Sequence, residues 1–129
     1  MVALTGTWKR VQTITHKEFV GEGTVSLTTS SSIVLTPAEV HGVYGSINFY
    51  NAGSSSVTIK LWQSNKEHPS DPLTSPNDWY QVGDDITIMA GSKQYVIWNG
   101  RYKYICITGA SSSGTCDVSV AFYLAMGVL

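Results

Sequence analysis

Apolar residues recur at every second position in short runs along this chain. In SVTIKLWQS, Val57, Ile59 and Leu61 fall on one side and Thr58, Lys60 and Trp62 on the other, so the aliphatic trio is assigned to a core face. In DDITIMAG, Ile86 and Ile88 play the same part. Runs rich in β-branched and aromatic residues span 6–14, 23–28, 32–36, 43–50, 56–63, 79–82, 85–89, 94–98, 102–108 and 116–124, separated by Gly, Ser, Asn, Asp or Pro clusters. No run keeps a helical period beyond one turn. The pattern predicts an all-β fold of about eight to ten short strands, arranged as a sandwich or a barrel. The one helical turn expected is TPAEVHG at 36–42, with Thr36 as N-cap and Pro37 in the first helical position.

The connections carry their own predictions. GSINFYNAGSSSVTIKLWQ reads as a hairpin turning at NAGSSS, where Asn and Gly tolerate positive φ. YKYICITGASSSGTCDVSVAFYL reads as a second, and both carry three consecutive serines at the turn. In the regular register of the second, Ile105 pairs with Val118 and Ile107 with Cys116, and Cys106 lies across from Asp117. The two cysteines then point to opposite sides, so neither a bridge nor a shared metal forms unless a bulge shifts the register by one. The segment SNKEHPSDPLTSPND, with its three prolines, is a surface loop.

Composition narrows the class. The 129 residues make one domain, 1–129, with 1–20 an N-terminal arm or edge strand. Charged residues are 13% and hydrophobic residues 43%, the balance of a folded domain with a quiet surface. A net charge of −1 excludes a general nucleic-acid binder. Lys9, Arg10 and Lys17 form a mildly basic end, and Glu67, Asp71, Asp78, Asp84 and Asp85 an acidic middle, so head-to-tail contact between copies is conceivable beside the plainer reading of solvated loops. No stretch approaches the roughly 18 apolar residues of a membrane span, and MVALTGTWKR does not read as a signal peptide, so a cytoplasmic chain with reduced cysteines is expected.

No constellation for catalysis stands out. His16, His41 and His68 lack a second ligand at metal-binding spacing, and Glu67, His68 and Asp71 lack the alternating carboxylates and central Gly of a calcium loop. GASSSG at 109–114 lacks the second glycine of a nucleophile elbow, and Asp84 and Asp85 on one strand point to opposite faces. No cofactor, metal or enzymatic activity is expected. Four tryptophans and seven tyrosines leave two readings open: burial in the core or between copies, and a stacking platform for sugars.

From about Gly45 to Leu124 the chain resembles the small decoration, or cement, proteins of tailed-bacteriophage heads. The resemblance is carried by SINFYNAGSSSVTIKLWQS, by DWYQVGDDITIMAGSKQYVIW, by RYKYICITG and by the closing strand CDVSVAFYL. It implies a jelly-roll-like sandwich that assembles as a homo-oligomer, a trimer rather than a dimer, on the outer capsid surface of a virion put together in the host cytoplasm. There it would bind between subunits of the major capsid protein and stabilise the shell, without nucleic acid or membrane. In such a role Trp8 anchors in an apolar pocket while Lys9 and Arg10 meet carboxylates, against the simpler reading of 6–14 as a first strand with Trp8 in the core. Trp62, opposite its strand's core face, and Tyr102, Tyr104 and Tyr123, on the second face of the 102–124 hairpin, complete the expected interface. The alternative is a carbohydrate-binding module of a tail or fibre.

Overall fold

The computed structural model describes residues 7–10 and 17–127. Among the described residues ten strands follow one another: β1 (Thr7–Arg10), β2 (Lys17–Leu27), β3 (Ser32–Glu39), β4 (Val43–Asn51), β5 (Val57–Ser64), β6 (Tyr80–Gln81), β7 (Ile86–Ile88), β8 (Lys93–Gly100), β9 (Tyr104–Ser111) and β10 (Cys116–Met126). A 3₁₀ turn at Pro76–Asp78 is the one helical element among the described residues. The front sheet has the order β1-β2-β10-β4-β8, and the back sheet β3-β9-β5-β6 with β7 also on β5; every pairing is antiparallel. From β2 to β5, and again from β7 to β10, each connection carries the chain to the opposite sheet. Of the two architectures the periodicity allowed, the chain forms the single antiparallel β-sandwich, with the layer-crossing connections of the jelly-roll kind that the resemblance implied.

The core lies between the sheets and is built by the period-2 alternation. Val118, Val120, Phe122 and Leu124 from β10 meet Ile59, Leu61, Ile105 and Ile107 from the back sheet, with Trp98 and Phe49 closing one side. Each such side chain contributes about 1.5–3 kcal/mol on burial.

Both predicted hairpins are corrected. β4 and β5 lie in different sheets, as do β9 and β10, so NAGSSS and ASSSG are arches that cross between layers. The predicted pairing of Ile105 with Val118 does not occur: Ile105 faces Ala38 and Gln63, and Val118 faces Val25 and Asn51. The cysteines do fall on different surfaces, Cys116 in the core and Cys106 on the outer side of the back sheet, and both are free. Asn51 works through its side chain rather than through positive φ. Its amide nitrogen donates to the carbonyls of Ser55 (2.7 Å) and Ile88 (3.0 Å), and its oxygen accepts from the Gly53 N–H (2.9 Å). Gly53 is required by close approach, since a Cβ there would sit 2.6 Å from Cys116 Sγ. The arches then dock on each other: Ser112 N–H donates to the Ser56 carbonyl at 2.9 Å, and the Ser56 and Ser112 hydroxyls meet at 3.1 Å.

The helical turn expected at 36–42 is also absent. β3 runs through Thr36–Glu39 with a register shift between Leu35 and Ala38. Pro37 falls in that bulge on an edge strand, where a missing N–H costs no ladder bond. The chain then reverses at His41 and Gly42, both at positive φ (54° and 109°).

Candidate functional site: one open face and one covered face

The outer side of the back sheet is closed by the chain itself. Lys60, Trp62 and Ser64 stand opposite Thr108, Cys106 and Tyr104 on this side. The loop 65–79 folds over the Ser64, Cys106 and Tyr104 end and knits itself with polar contacts, while Lys60 stays 40% exposed and pairs with Asp85 at 3.9 Å. Ser70 is its hub: its N–H donates to Asp78 Oδ2 (2.8 Å), its hydroxyl to the Ser75 carbonyl (2.8 Å), and its carbonyl accepts from Trp79 Nε1 (2.7 Å). Lys66 Nζ pairs with Asp78 Oδ1 at 2.7 Å, Lys103 with Glu67 at 3.0 Å, and Tyr104 donates its hydroxyl to the Glu67 carbonyl at 3.0 Å. Trp79, Cys106, Ser64 and Thr108 are all buried as a result.

The charges follow this geometry. The hydrogen bond from Lys66, with the Ser70 N–H, brings the Asp78 carboxyl down to about 2, and Lys66 is raised by the same contact. Lys103 lowers Glu67 and is itself raised. Burial, and then the Asp71 charge, push the Cys106 thiol up to about 12, so it stays protonated and unreactive under the loop.

The outer side of the front sheet has no such cover from the described residues. Its registers align in rows: Glu18, Ala125, Tyr44 and Asn99; Val20, Tyr123, Ser46 and Ile97; Glu22, Ala121, Asn48 and Tyr95; Thr24, Ser119, Tyr50 and Lys93. Tyr95 (68% exposed), Ile97 (66%), Tyr44 (57%), Tyr123 (57%) and Tyr50 (40%) stand out into solvent. Five large side chains on one sheet face make a surface unlike an ordinary solvated one. The Tyr123 hydroxyl donates to Glu18 Oε1 at 2.6 Å, which, with burial second, raises its pKa.

The residues expected at an interface are scattered by this topology. Tyr123 lies on the open face. Trp62 is half-buried on the covered side and donates to Thr108 Oγ1 at 2.8 Å. Tyr104 is tied to the covering loop, and Tyr102 packs against the core cluster. The single second face expected for Tyr102, Tyr104, Ala121 and Tyr123 therefore does not exist, because β9 and β10 belong to different sheets. Trp8, Lys9 and Arg10 form part of β1 at the front sheet's edge, opposite Phe19, Glu18 and Lys17; their side chains lie outside the described set. Tyr44, Tyr50, Tyr95 and Ile97 were missed, although alternation in VYGSINFY and KQYVIWNG sets them opposite Ile47, Phe49, Val96 and Trp98. Among the described residues no three His, Cys, Asp or Glu side chains gather as a metal site, and no helix is long and apolar enough to cross a membrane.

Neither a protein-family model nor a curated protein sequence matches this chain. Solved structures do. The structure described as "Bacillus endospore appendages form a novel family of disulfide-linked pili" is 11% identical with a TM-score of 0.63, covering 100% of this chain and 97% of that one. The crystal structure of PirA is 9% identical with a TM-score of 0.52, covering 79% and 92%. A chain of the cyanophage Pam1 capsid asymmetric unit is 11% identical and covers 90% and 89%, but at a TM-score of 0.42 it carries no argument. At these identities the similarity is one of fold.

Proposed function

We propose that this chain is a non-catalytic structural subunit of an ordered particle, and within that class a decoration protein that sits on the outer surface of a phage capsid. It binds there as a homo-trimer between subunits of the major capsid protein. The observation that carries this reading is the asymmetry of the sandwich: one outer face is sealed by loop 65–79, while the other presents Tyr44, Ile97 and Tyr123 in adjacent rows. Tyrosine supplies large contact area beside a polar tip, and a symmetric assembly multiplies modest contacts by avidity.

The full-length fold likeness to a pilus subunit supports an assembling role. Covalent linkage of the kind named for that pilus does not suit this chain. Its only two cysteines, Cys106 and Cys116, are buried and free. Non-covalent association through the open face is the arrangement left. Light scattering behind size exclusion is expected to give a trimer, and co-sedimentation with phage heads from the same host cell a saturable bound fraction. Tyr44→Ser with Ile97→Ser is expected to weaken both. A stable monomer that ignores heads overturns the reading, and growth into filaments redirects it to a pilus-like role.

A further inference from the structure

The open face is not uniform, and its two ends differ in chemistry. Where Tyr44, Tyr123 and Ile97 stand, large exposed rings and an isoleucine dominate the surface. At the other end the same sheet forms a groove of about 640 Å³, within the range of about 300–1,000 Å³ usual for small-ligand sites. Its floor is made of small side chains, Ala121 and Ser119 on β10, so nothing projects into the middle. On one side stand Tyr50 and Tyr95, diagonal neighbours on β4 and β8, with Asn48 and Lys93 paired to them across the ladder. Glu22 and Thr24 of β2 form the other side.

We propose that this groove is a binding site for a neutral pyranose oligosaccharide. Sugar rings present apolar C–H faces that stack on aromatic rings, with hydroxyls around the rim that both donate and accept. The groove offers both halves of that chemistry. Tyr95 and Tyr50 are the exposed rings. Asn48 donates and accepts, Lys93 donates, Glu22 accepts, and the Thr24 and Ser119 hydroxyls do either. Among the described residues, no hydrogen bond or ion pair occupies the side chains of Asn48, Tyr50, Lys93 or Tyr95, so these groups are unspent. A single cation cannot serve a nucleic-acid backbone. One carboxylate and one ammonium at opposite sides leave the groove without net charge to select an anion or a cation, which favours a ligand that carries no net charge.

This site is independent of the assembly reading, and its test uses the protein alone. Maltotriose, cellotriose and triacetylchitotriose are added separately to the ¹⁵N-labelled full chain, up to about 10 mM, enough to load a site with a Kd of about 1 mM. At least one is expected to shift the amides of Asn48, Tyr50 and Tyr95 saturably. Tyr95→Ala is expected to weaken that sugar by about tenfold or more and to leave the melting midpoint in place, since the ring is mostly exposed. Ala121→Arg, which fills the floor and leaves both tyrosines in the chain, is expected to abolish binding. Absence of saturable shifts with all three sugars, or binding unchanged in both variants, overturns the proposal. Tyr44→Ser, outside the groove, is expected to retain sugar binding, and its loss of sugar binding would place the site elsewhere on the face and overturn the proposal.

Discussion

The two outer faces of this sandwich begin from the same rule and end differently. On both, alternate residues of each strand point away from the core. On the back sheet those residues include Cys106, Thr108 and Ser64, and a loop of the same chain covers them. On the front sheet they include Tyr44, Tyr50, Tyr95 and Tyr123, and no described residue covers them. A face closed by its own loop has satisfied its apolar groups within the monomer. A face that keeps large rings in solvent has not, and this difference is the basis of the contact proposed for it.

The sharpest way to break this contrast is to open the closed face. Trp79 is 4% exposed and holds Ser70 through its indole N–H. Trp79→Ala is expected to cost about 3–5 kcal/mol in urea unfolding, whereas Tyr44→Ala or Tyr95→Ala is expected to stay within about 0.5 kcal/mol. The same variant should make Cys106 reactive to a thiol reagent under native conditions, while the parent reacts at neither cysteine until unfolded and then at both. Equal costs on the two faces, or a Cys106 that reacts in the parent, would remove the distinction between them.

Much of this arrangement could be read from the chain, and the part that could not has a definite cause. Alternation fixes which side of a strand a residue takes, so the core assignments of Val57, Ile59, Leu61 and Ile88 hold in the structure. Alternation does not say which strand lies beside which. In a jelly roll most sequence neighbours are in opposite sheets, so reading NAGSSS and ASSSG as hairpin turns joined strands that never pair. The length of these connections was the available signal, since tight hairpins favour two-residue turns such as Asn-Gly. The covering loop had a signal too. β9 reads YICITGAS, apolar or small on both parities, as expected of a strand buried on both faces. The side of its strand that Tyr123 takes is legible from the alternation of CDVSVAFYL, whereas its neighbours Tyr44 and Ile97 on β4 and β8 come beside it only through the strand order, which alternation does not encode.

A milder test loosens the closed face by pH. Asp78 is held at about 2 by Lys66 and the Ser70 N–H, below its unfolded value near 4. A depressed carboxylate contributes stability that is present above about pH 4 and is lost as pH falls through 2. Glu67, lowered by Lys103, acts in the same direction. The Trp79 indole N–H resonance is therefore expected to move as the pH drops from 4 to 2, with the open-face Tyr95 amide unmoved. In Asp78→Asn that acid-dependent change should largely vanish. Synchronous movement of both signals would mean that the faces are not independent.

The smallest effect expected is at Tyr123, and it separates ring from hydroxyl on the open face. The hydroxyl is spent within the sheet, donating to Glu18 on the neighbouring strand, and a partner therefore meets the ring. Tyr123→Phe removes one exposed hydrogen bond, and its melting midpoint near neutral pH should fall within the scatter of repeated measurements. The raised Tyr123 pKa contributes stability that is present below about pH 10 and is lost as pH rises through the folded value. Only the parent should therefore show this small loss in strong alkali. Assembly by light scattering should survive Tyr123→Phe and weaken in Tyr123→Ser, which deletes the ring. The opposite order would assign the contact to the hydroxyl, and with it a polar partner in place of the apolar one that the exposed rings imply.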